Sequence, residues 1–221
     1  MSQSLALKPS HDTESKTRPA SRGAKRRSEI LTQAEIAFLE QGYEKTSVDD
    51  IAARAGASKA TLYKYFGSKE ALFSEIIHDI VPDIPGGLLQ KLNSDDSLRN
   101  TLLDWCLHLI EMVTTARSVA LYRLIVAETT RYSQLNVIHY QRGPETTQKE
   151  LAEFLGVATE EGKLECKNPD LVARVFASSA FGEPFERALL GIPISDIEET
   201  KAYVNQAIDM LEAYCLPQKE R

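Results

Sequence analysis

Cysteine, tryptophan and long apolar runs are scarce in this 221-residue sequence. The three cysteines, Cys106, Cys166 and Cys215, are far apart and form no C-x-x-C pair, so the sequence predicts neither a disulfide framework nor a zinc site. No apolar run reaches the roughly 18 residues that span a bilayer. The first 30 residues lack the apolar centre of a secretory signal. We therefore expect a cytoplasmic protein without a membrane partner.

Catalytic signatures are also missing. The sequence contains no P-loop, G-x-S-x-G or H-E-x-x-H motif. Its histidines, His11, His78, His108 and His139, are scattered, and their spacing indicates no triad. We expect no enzyme, no cofactor and no metal site.

Charge is unevenly distributed along the chain. The net charge is -6, yet residues 1–80 carry 12 Lys and Arg against 11 Asp and Glu. Two stretches hold basic residues and no acid, Ser15–Ser28 and Ile51–Lys69. An acidic body with locally basic surfaces can still bind phosphate groups.

Apolar periodicity predicts an all-α protein of about nine helices, because apolar residues recur at helical spacing and strand alternation is absent. Hydrophobic residues make up 43% of the chain, enough for a real core. Residues 1–21 are expected to form a flexible basic arm. The predicted helices are Arg22–Gln41, one starting after Ser47, Lys59–Phe66, Lys69 to near Val81, Asp95–Ala116, Ser118–Thr130, Tyr132–Glu161 with a break or kink at Gly143-Pro144, Pro169–Leu190 and Ser195–Tyr214.

The second and third predicted helices are short and are joined by Gly56-Ala57-Ser58. This is the spacing of a helix-turn-helix, in which the second of the two helices enters the major groove of DNA. Leu62 and Phe66, four residues apart, are predicted to face inward. A small helical hairpin with a solvated basic face is the alternative that spacing alone leaves open.

The residues of this region resemble the DNA-binding domain of the TetR/AcrR family. The resemblance rests on the run Gly42–Ala52, followed by Ala55–Leu72. It implies an all-helical homodimer that has three N-terminal DNA-binding helices, here within residues 22–81. It also implies a C-terminal domain for ligand binding and dimerisation, here within residues 88–216.

The resemblance also implies roles for individual residues in binding double-stranded DNA. Thr46 and Ser47 would hold phosphate at the start of the second helix. Tyr65 and Lys69 would clamp the backbone, although Lys69 could simply be a solvated lysine. The residues at recognition-helix positions are Ser58, Lys59, Ala60, Thr61, Tyr63 and Lys64. From the basic stretch before them, Arg26 and Arg27 are expected to reach the minor groove or the backbone.

The C-terminal part resembles the AefR-type domain of the same family. The matching runs are Leu121–Glu128, Tyr140–Pro144 and Asn168–Arg174. The break at Pro82–Gly87 departs from the family pattern, because many relatives continue the fourth helix there.

A cavity among the middle helices is expected to take an apolar small-molecule effector. Its polar candidates are His108, Arg123, Glu128 and His139. Ordinary core packing is the alternative for each apolar candidate. The expected ligand-binding residues are Trp105, His108, Leu109, Met112, Tyr122, Arg123, Val126, Phe154, Phe176 and Phe181.

Two apolar stripes are predicted to form a four-helix dimer interface, with ordinary core as the alternative. Their residues are Val172, Val175, Phe176, Ser179, Tyr203, Ala207, Met210 and Leu211. Cys106 could be a redox sensor, but a plain buried cysteine is the better interpretation.

These observations predict a sequence-specific transcriptional regulator. We expect a homodimeric repressor that a small molecule releases from a pseudo-palindromic operator. A DNA-bound structural or cell-division protein with a protein partner is a second hypothesis, and an enzyme is a third.

Overall fold

The computed structural model describes residues 22–78, 87–92, 97–128 and 133–215. All regular structure in these ranges is α-helical, so the predicted all-α fold class is confirmed. The helices are α1 (Arg22–Gln41), α2 (Val48–Arg54), α3 (Lys59–Phe66), α4 (Lys69–His78), α5 (Gly87–Lys91), α6 (Leu98–Val113), α7 (Ala116–Glu128), α8 (Ser133–Arg142), α9 (Pro144–Glu160), α10 (Pro169–Leu190) and α11 (Ile197–Cys215).

The sequence predicted about nine helices, and the described ranges contain eleven. Sequence patterning missed the five-residue helix α5. It left open whether Gly143-Pro144 breaks or kinks the segment Tyr132–Glu161. The structure has a break there, because Gly143 is the N-cap of α9 and Pro144 lies in its first turn. The predicted arm and the predicted end of the fourth helix near Val81 lie outside the described residues.

Caps move two other boundaries. Helix α6 starts later than predicted, because the hydroxyl of Ser97 accepts a hydrogen bond from the Asn100 amide. The cap of α11 is Asp196 and not Ser195: its carboxylate accepts from the amides of Glu198 and Glu199. Acidic oxygens at a helix start also interact favourably with the helix dipole.

The first core gathers the apolar faces of α1 to α4. On α1, Ile30, Ala34 and Phe38 are fully buried at four-residue spacing. The ring centroid of Phe38 lies 5.3 Å from that of Tyr43 and 5.2 Å from that of Phe73. This aromatic cluster fixes α1 against α4 and thereby supports α2 and α3.

The second core lies among α5, α6, α9, α10 and α11. Trp105 on α6 and Phe154 on α9 are among its buried rings. The Arg99 guanidinium joins α6 to α11 through the carboxylates of Asp209 and Glu212. These contacts make one packed layer of the long C-terminal helices.

Helix α7 links the two cores. Leu121 and Ile125 are buried in the first core, although they come much later in the chain than helices α1 to α4. At the far side of α7, the Arg123 side chain donates to the carbonyl oxygen of Leu189 at 2.7 and 3.0 Å. Helix α7 is therefore held by the N-terminal helices on one side and by the end of α10 on the other.

Candidate functional site

The turn between α2 and α3 is tight and is braced by α1. Gly56 has a φ of +58°, a left-handed conformation that side-chain-bearing residues rarely adopt. The Arg26 guanidinium donates a hydrogen bond to the Gly56 carbonyl oxygen. Arg26 therefore fixes the turn that orients α3, a role that sequence reasoning did not assign to it.

Helix α3 buries one face and exposes the other. Leu62 and Phe66 are buried in the first core, as the sequence predicted. Lys59, Ala60 and Lys64 are exposed, and 46% of Tyr63 is accessible. The exposed face offers two cations, a phenol and a small methyl group, a combination that can contact phosphates and base edges.

Two of the predicted recognition residues hold the start of α3. Ser58 is its N-cap, and its hydroxyl accepts from the Thr61 amide at 3.1 Å. The hydroxyl oxygens of Ser58 and Thr61 lie 2.8 Å apart. Tyr65 is half-buried, with its ring 6.1 Å from that of Phe66. Ser58, Thr61 and Tyr65 therefore lie at the edge of the exposed face of α3, and their contacts also hold the helix in place.

The start of α2 corrects the role expected for Thr46. Its hydroxyl is buried and lies 2.8 Å from the Gly42 carbonyl oxygen and 3.1 Å from that of Ala37. The single hydroxyl proton is therefore used inside the fold, so the side chain does not offer it to phosphate. Ser47 is exposed, but it forms a capping box with Asp50, whose pKa is lowered by the hydrogen bond from the Ser47 hydroxyl.

Lys69 lies beside the aromatic cluster. Its ammonium nitrogen is 4.2 Å from the centroid of Tyr43 and 3.4 Å from the carbonyl oxygen of Glu44. Burial lowers the pKa of Lys69 below its ordinary value. The side chain is half-buried, so it differs from the freely solvated lysine that was the alternative.

Acidic partners hold several basic side chains of this face. The Lys59 ammonium lies 2.8 Å from a carboxylate oxygen of Asp49, and the Arg27 guanidinium pairs with Glu75. Arg27 also lies over the Phe66 ring, 5.2 Å from its centroid. These carboxylates compete with phosphate for Lys59 and Arg27, so each ion pair weakens the attraction of its cation for DNA.

A cavity of about 310 Å³ lies among α6, α7, α8, α9 and α10. Its walls include four hydroxyl-bearing residues and several rings. The ring of Tyr122 lies edge-to-face with His139 at 5.2 Å and with Phe185 at 4.9 Å between centroids. The residues that line it are Leu109, Val113, Ser118, Tyr122, His139, Gly143, Pro144, Thr147, Gln148, Ala177, Ser178, Phe181, Gly182 and Phe185.

The predicted effector residues divide between this cavity and other places. Leu109, Tyr122 and Phe181 line the cavity, as does His139 from the polar candidates. Trp105, Phe154 and Phe176 are buried in the second core, and Met112 packs against it. His108 and Val126 are exposed, and Arg123 caps the end of α10. The seven that do not line the cavity therefore have structural or surface positions.

Sequence reasoning missed several cavity-lining residues. Phe185 could have been found, because it continues the helical stripe of Phe181 four residues on. Thr147 and Gln148 carried no signal, since their side chains meet the other walls only through the packing of α9 against α10. Cys106 is fully buried, and burial raises the pKa of its thiol, so it has the character of a plain buried cysteine.

The predicted dimer residues form an apolar groove on α10 and α11. Seven of the eight line it; Tyr203 instead donates a 2.6 Å hydrogen bond to the Ser179 carbonyl oxygen between the two helices. Val175 and Met210 are 58% and 61% exposed. Leu171 and Tyr214 extend the same stripes by one turn, and their spacing would have identified them.

Comparison with known proteins decides the family. The model described as "AefR-like transcriptional repressor, C-terminal domain" matches residues 100–215. The model described as "Bacterial regulatory proteins, tetR family" matches residues 30–76. The chain belongs to the TetR family. It is therefore a DNA-binding transcriptional regulator by family, and the family resemblance inferred from the sequence is confirmed.

This TetR-family regulator is similar both to a transcriptional activator and to a transcriptional repressor. The transcriptional activator FasR of Mycolicibacterium smegmatis is 35% identical over 77 residues, 35% of each chain. The transcriptional repressor KstR2 of Rhodococcus jostii is 38% identical over 77 residues, 35% of this chain and 38% of that one. This chain thus matches little more than a third of the length of either relative.

Similarity over almost the whole chain is found with the solved structure titled "Flavonoid-responsive Regulator FrrA". It is 32% identical, has a TM-score of 0.77, and the match covers 88% of this chain and 98% of that one. Within the described ranges, no helix of the regulator has the length and apolar character needed to cross a membrane.

Proposed function

We propose that this regulator acts in the cytoplasm as a homodimeric repressor that binds a pseudo-palindromic operator and is released by an apolar small molecule. The observation that carries the proposal is the position of α7. Ser118 and Tyr122 of this helix line the cavity, while Leu121 and Ile125 are buried among the DNA-binding helices. One rigid helix therefore meets both the effector site and the DNA-binding unit.

DNA recognition is assigned to the exposed face of α3. Lys59, Tyr63 and Lys64 would contact phosphates and base edges, and Arg26 would hold the turn before them. Two copies of α3 about 34 Å apart, one turn of DNA, would read the two half-sites of an operator. Ala60 lies on the same face. The proposed DNA-binding set is completed by residues around it: Ser47, Ser58, Thr61, Tyr65, Lys69, Arg27 and the backbone at Thr46.

Dimerisation is assigned to the groove on α10 and α11. Exposed apolar side chains on two adjacent long helices favour a four-helix interface with a second copy. Family membership supports the same arrangement.

Effector release follows from differential affinity. A ligand in the cavity would favour a position of α7 in which the distance between the two α3 helices of the dimer no longer matches the spacing of the half-sites on DNA. It can shift this equilibrium only by the difference in its affinity for the two states. The name of the similar regulator FrrA, flavonoid-responsive, supports an organic effector of this kind. Repression is proposed because KstR2 is a repressor and the C-terminal domain is AefR-like, whereas FasR is an activator.

A DNA-bound structural protein with a protein partner is less well supported. A fully packed C-terminal core would favour it, whereas this core contains a cavity of about 310 Å³.

Electrophoretic mobility shifts on DNA from upstream of the regulator's own gene test the main proposal. We expect a sequence-specific complex that weakens as salt rises from about 50 to 200 mM. Equal affinity for unrelated DNA would contradict the proposal.

A further inference from the structure

The cavity among α6 to α10 has walls of rings and small polar groups. Among the described residues that line it, none carries a formal charge at neutral pH. Tyr122, Phe181 and Phe185 supply ring surfaces, and two of the ring pairs are edge-to-face. A flat aromatic molecule fits such walls well, because further edge-to-face or offset contacts with it are favourable.

His139 has hydrogen-bonding capacity that the protein leaves unused. Its Nδ1 atom is buried and has no hydrogen-bond partner among the described residues. By contrast, the hydroxyls of Ser118 and Ser178 already donate to carbonyl oxygens of Met112, at 2.7 Å, and of Arg174, at 2.9 Å. A buried polar atom without a partner is unfavourable, so a ligand group that satisfies it gains affinity.

The imidazole is also uncharged at neutral pH, since burial lowers the pKa of His139. It therefore gives no cation that could balance a carboxylate. A hydroxyl group both donates and accepts, so it suits either tautomer of a neutral imidazole.

We propose that the effector is an uncharged aromatic compound that carries a hydroxyl group, and that this hydroxyl hydrogen-bonds to the imidazole of His139. This inference rests on the proposed effector function of the cavity and adds the chemical class of the ligand. The rings beside His139 hold the aromatic part, and the imidazole selects the polar substituent.

Calorimetric titration of the full chain with three matched probes tests the inference. The probes are 2-naphthol, its methyl ether 2-methoxynaphthalene, and the anion 2-naphthoate. We expect 2-naphthol to bind about tenfold more tightly than the ether, because the ether cannot donate to an accepting imidazole nitrogen and its oxygen, conjugated with the ring, is a poor acceptor for a donating one. The anion should bind more weakly than either, since it would be buried without a counter-charge.

Two variants locate the effect. His139→Phe should bind 2-naphthol and the ether equally, while His139→Gln, which keeps a donor and an acceptor, should retain a preference for 2-naphthol. The exposed histidine of α6 provides a matched control, since His108→Phe should behave as the unmodified protein. Circular dichroism establishes that each variant is folded.

Several results would overturn the inference: no binding of any probe, equal binding of 2-naphthol and its ether, tight binding of the anion, or an undiminished preference in folded His139→Phe. The proposed function fails differently. If 2-naphthol binds with the expected selectivity but never releases DNA, the ligand class stands and effector-controlled release does not.

Discussion

The guanidinium of Arg117 on α7 forms a two-point ion pair with the carboxylate of Glu35 on α1. Nε lies 2.6 Å from Oε1, and Nη2 lies 2.7 Å from Oε2. Paired parallel hydrogen bonds of this kind fix orientation as well as distance. Arg117 directly precedes Ser118, which lines the cavity, so the pair joins the cavity-lining helix α7 to helix α1 of the N-terminal unit.

We expect Glu35→Gln to weaken the coupling between the cavity and DNA. The neutral amide cannot keep both charge-assisted bonds, so movement of α7 would be passed less fully to α1. Affinity for DNA alone and for 2-naphthol alone should change less than about twofold, whereas the 2-naphthol concentration that releases DNA should rise severalfold. Fluorescence anisotropy of labelled operator DNA measures all three quantities.

Glu198→Gln is the matched control for that variant, because the one ion pair that Glu198 forms with a described residue lies within α11, with Lys201 three residues on. It removes the same charge without touching a contact between helices. Unchanged release by Glu35→Gln would mean that coupling runs through apolar contacts such as Leu121 alone.

Asp49→Asn should strengthen DNA binding. Asp49 pairs with Lys59 on the exposed face of α3, and the pairing raises the pKa of Lys59. Removing the carboxylate frees the Lys59 ammonium for phosphate. It also removes a negative charge that would repel the phosphates of DNA. We expect severalfold tighter binding at about 50 mM salt and a plot of log affinity against log salt that is steeper by about one unit at most.

The same Glu198→Gln variant controls for net charge, since it adds the same increment on α11. An equal gain in both variants would indicate a general effect of net charge. No gain in Asp49→Asn would indicate that Lys59 does not contact DNA.

Thr46→Val should destabilise the fold without weakening DNA binding by the folded protein. Valine has nearly the same shape, but it leaves the buried carbonyl oxygens of Ala37 and Gly42 without the hydroxyl proton. The expected loss is about 1–3 kcal/mol in the free energy of unfolding. Urea unfolding measures this loss, with Thr46→Ser as the control that retains the hydroxyl. Weaker DNA binding by folded Thr46→Val than by Thr46→Ser would restore the Thr46 hydroxyl as a phosphate contact.

Val175→Glu should disrupt the proposed dimer. It places a carboxylate at the centre of the apolar groove on α10 and α11, where it would be buried against its symmetry copy. Light scattering after size exclusion should give the mass of one chain, and operator affinity should fall because one recognition helix alone contacts DNA. Val137→Glu on α8 is the control, since this valine is similarly exposed but outside the groove. A dimeric Val175→Glu would place the interface elsewhere.

His139 should contribute a pH dependence to stability. Burial lowers the pKa of His139 in the folded state, so the unfolded chain binds this proton first as pH falls. The free energy of unfolding should therefore decrease as pH drops below the ordinary pKa of 6.5, until the folded histidine is protonated too. His139→Phe should remove this part of the dependence between about pH 7.5 and 5.5, and His108→Phe should not. Parallel curves for His139→Phe and the unmodified protein would contradict a neutral buried imidazole.

The sequence by itself determined the helical class, the helix-turn-helix and the inward face of α3. Each depends on local physics: the Ser47 and Ser58 caps, the glycine at the turn, and apolar residues at helical spacing. Helix α1 begins and ends at the predicted residues for the same reason. The apolar stripes on α10 and α11 could also be predicted from the sequence, because each stripe lies on a single long helix.

Tertiary structure alone decided where the long-range contacts formed. Thr46 was expected to face phosphate, but its hydroxyl found carbonyl oxygens that α1 brings to it. Phe154 and Phe176 have the same aromatic character as Phe181, and only the packing of α9 against α10 determined which ring lines the cavity. The Arg117–Glu35 pair likewise joins helices that are distant in the chain. Periodicity records which face of a helix is apolar, but the partner of that face depends on how all the helices pack.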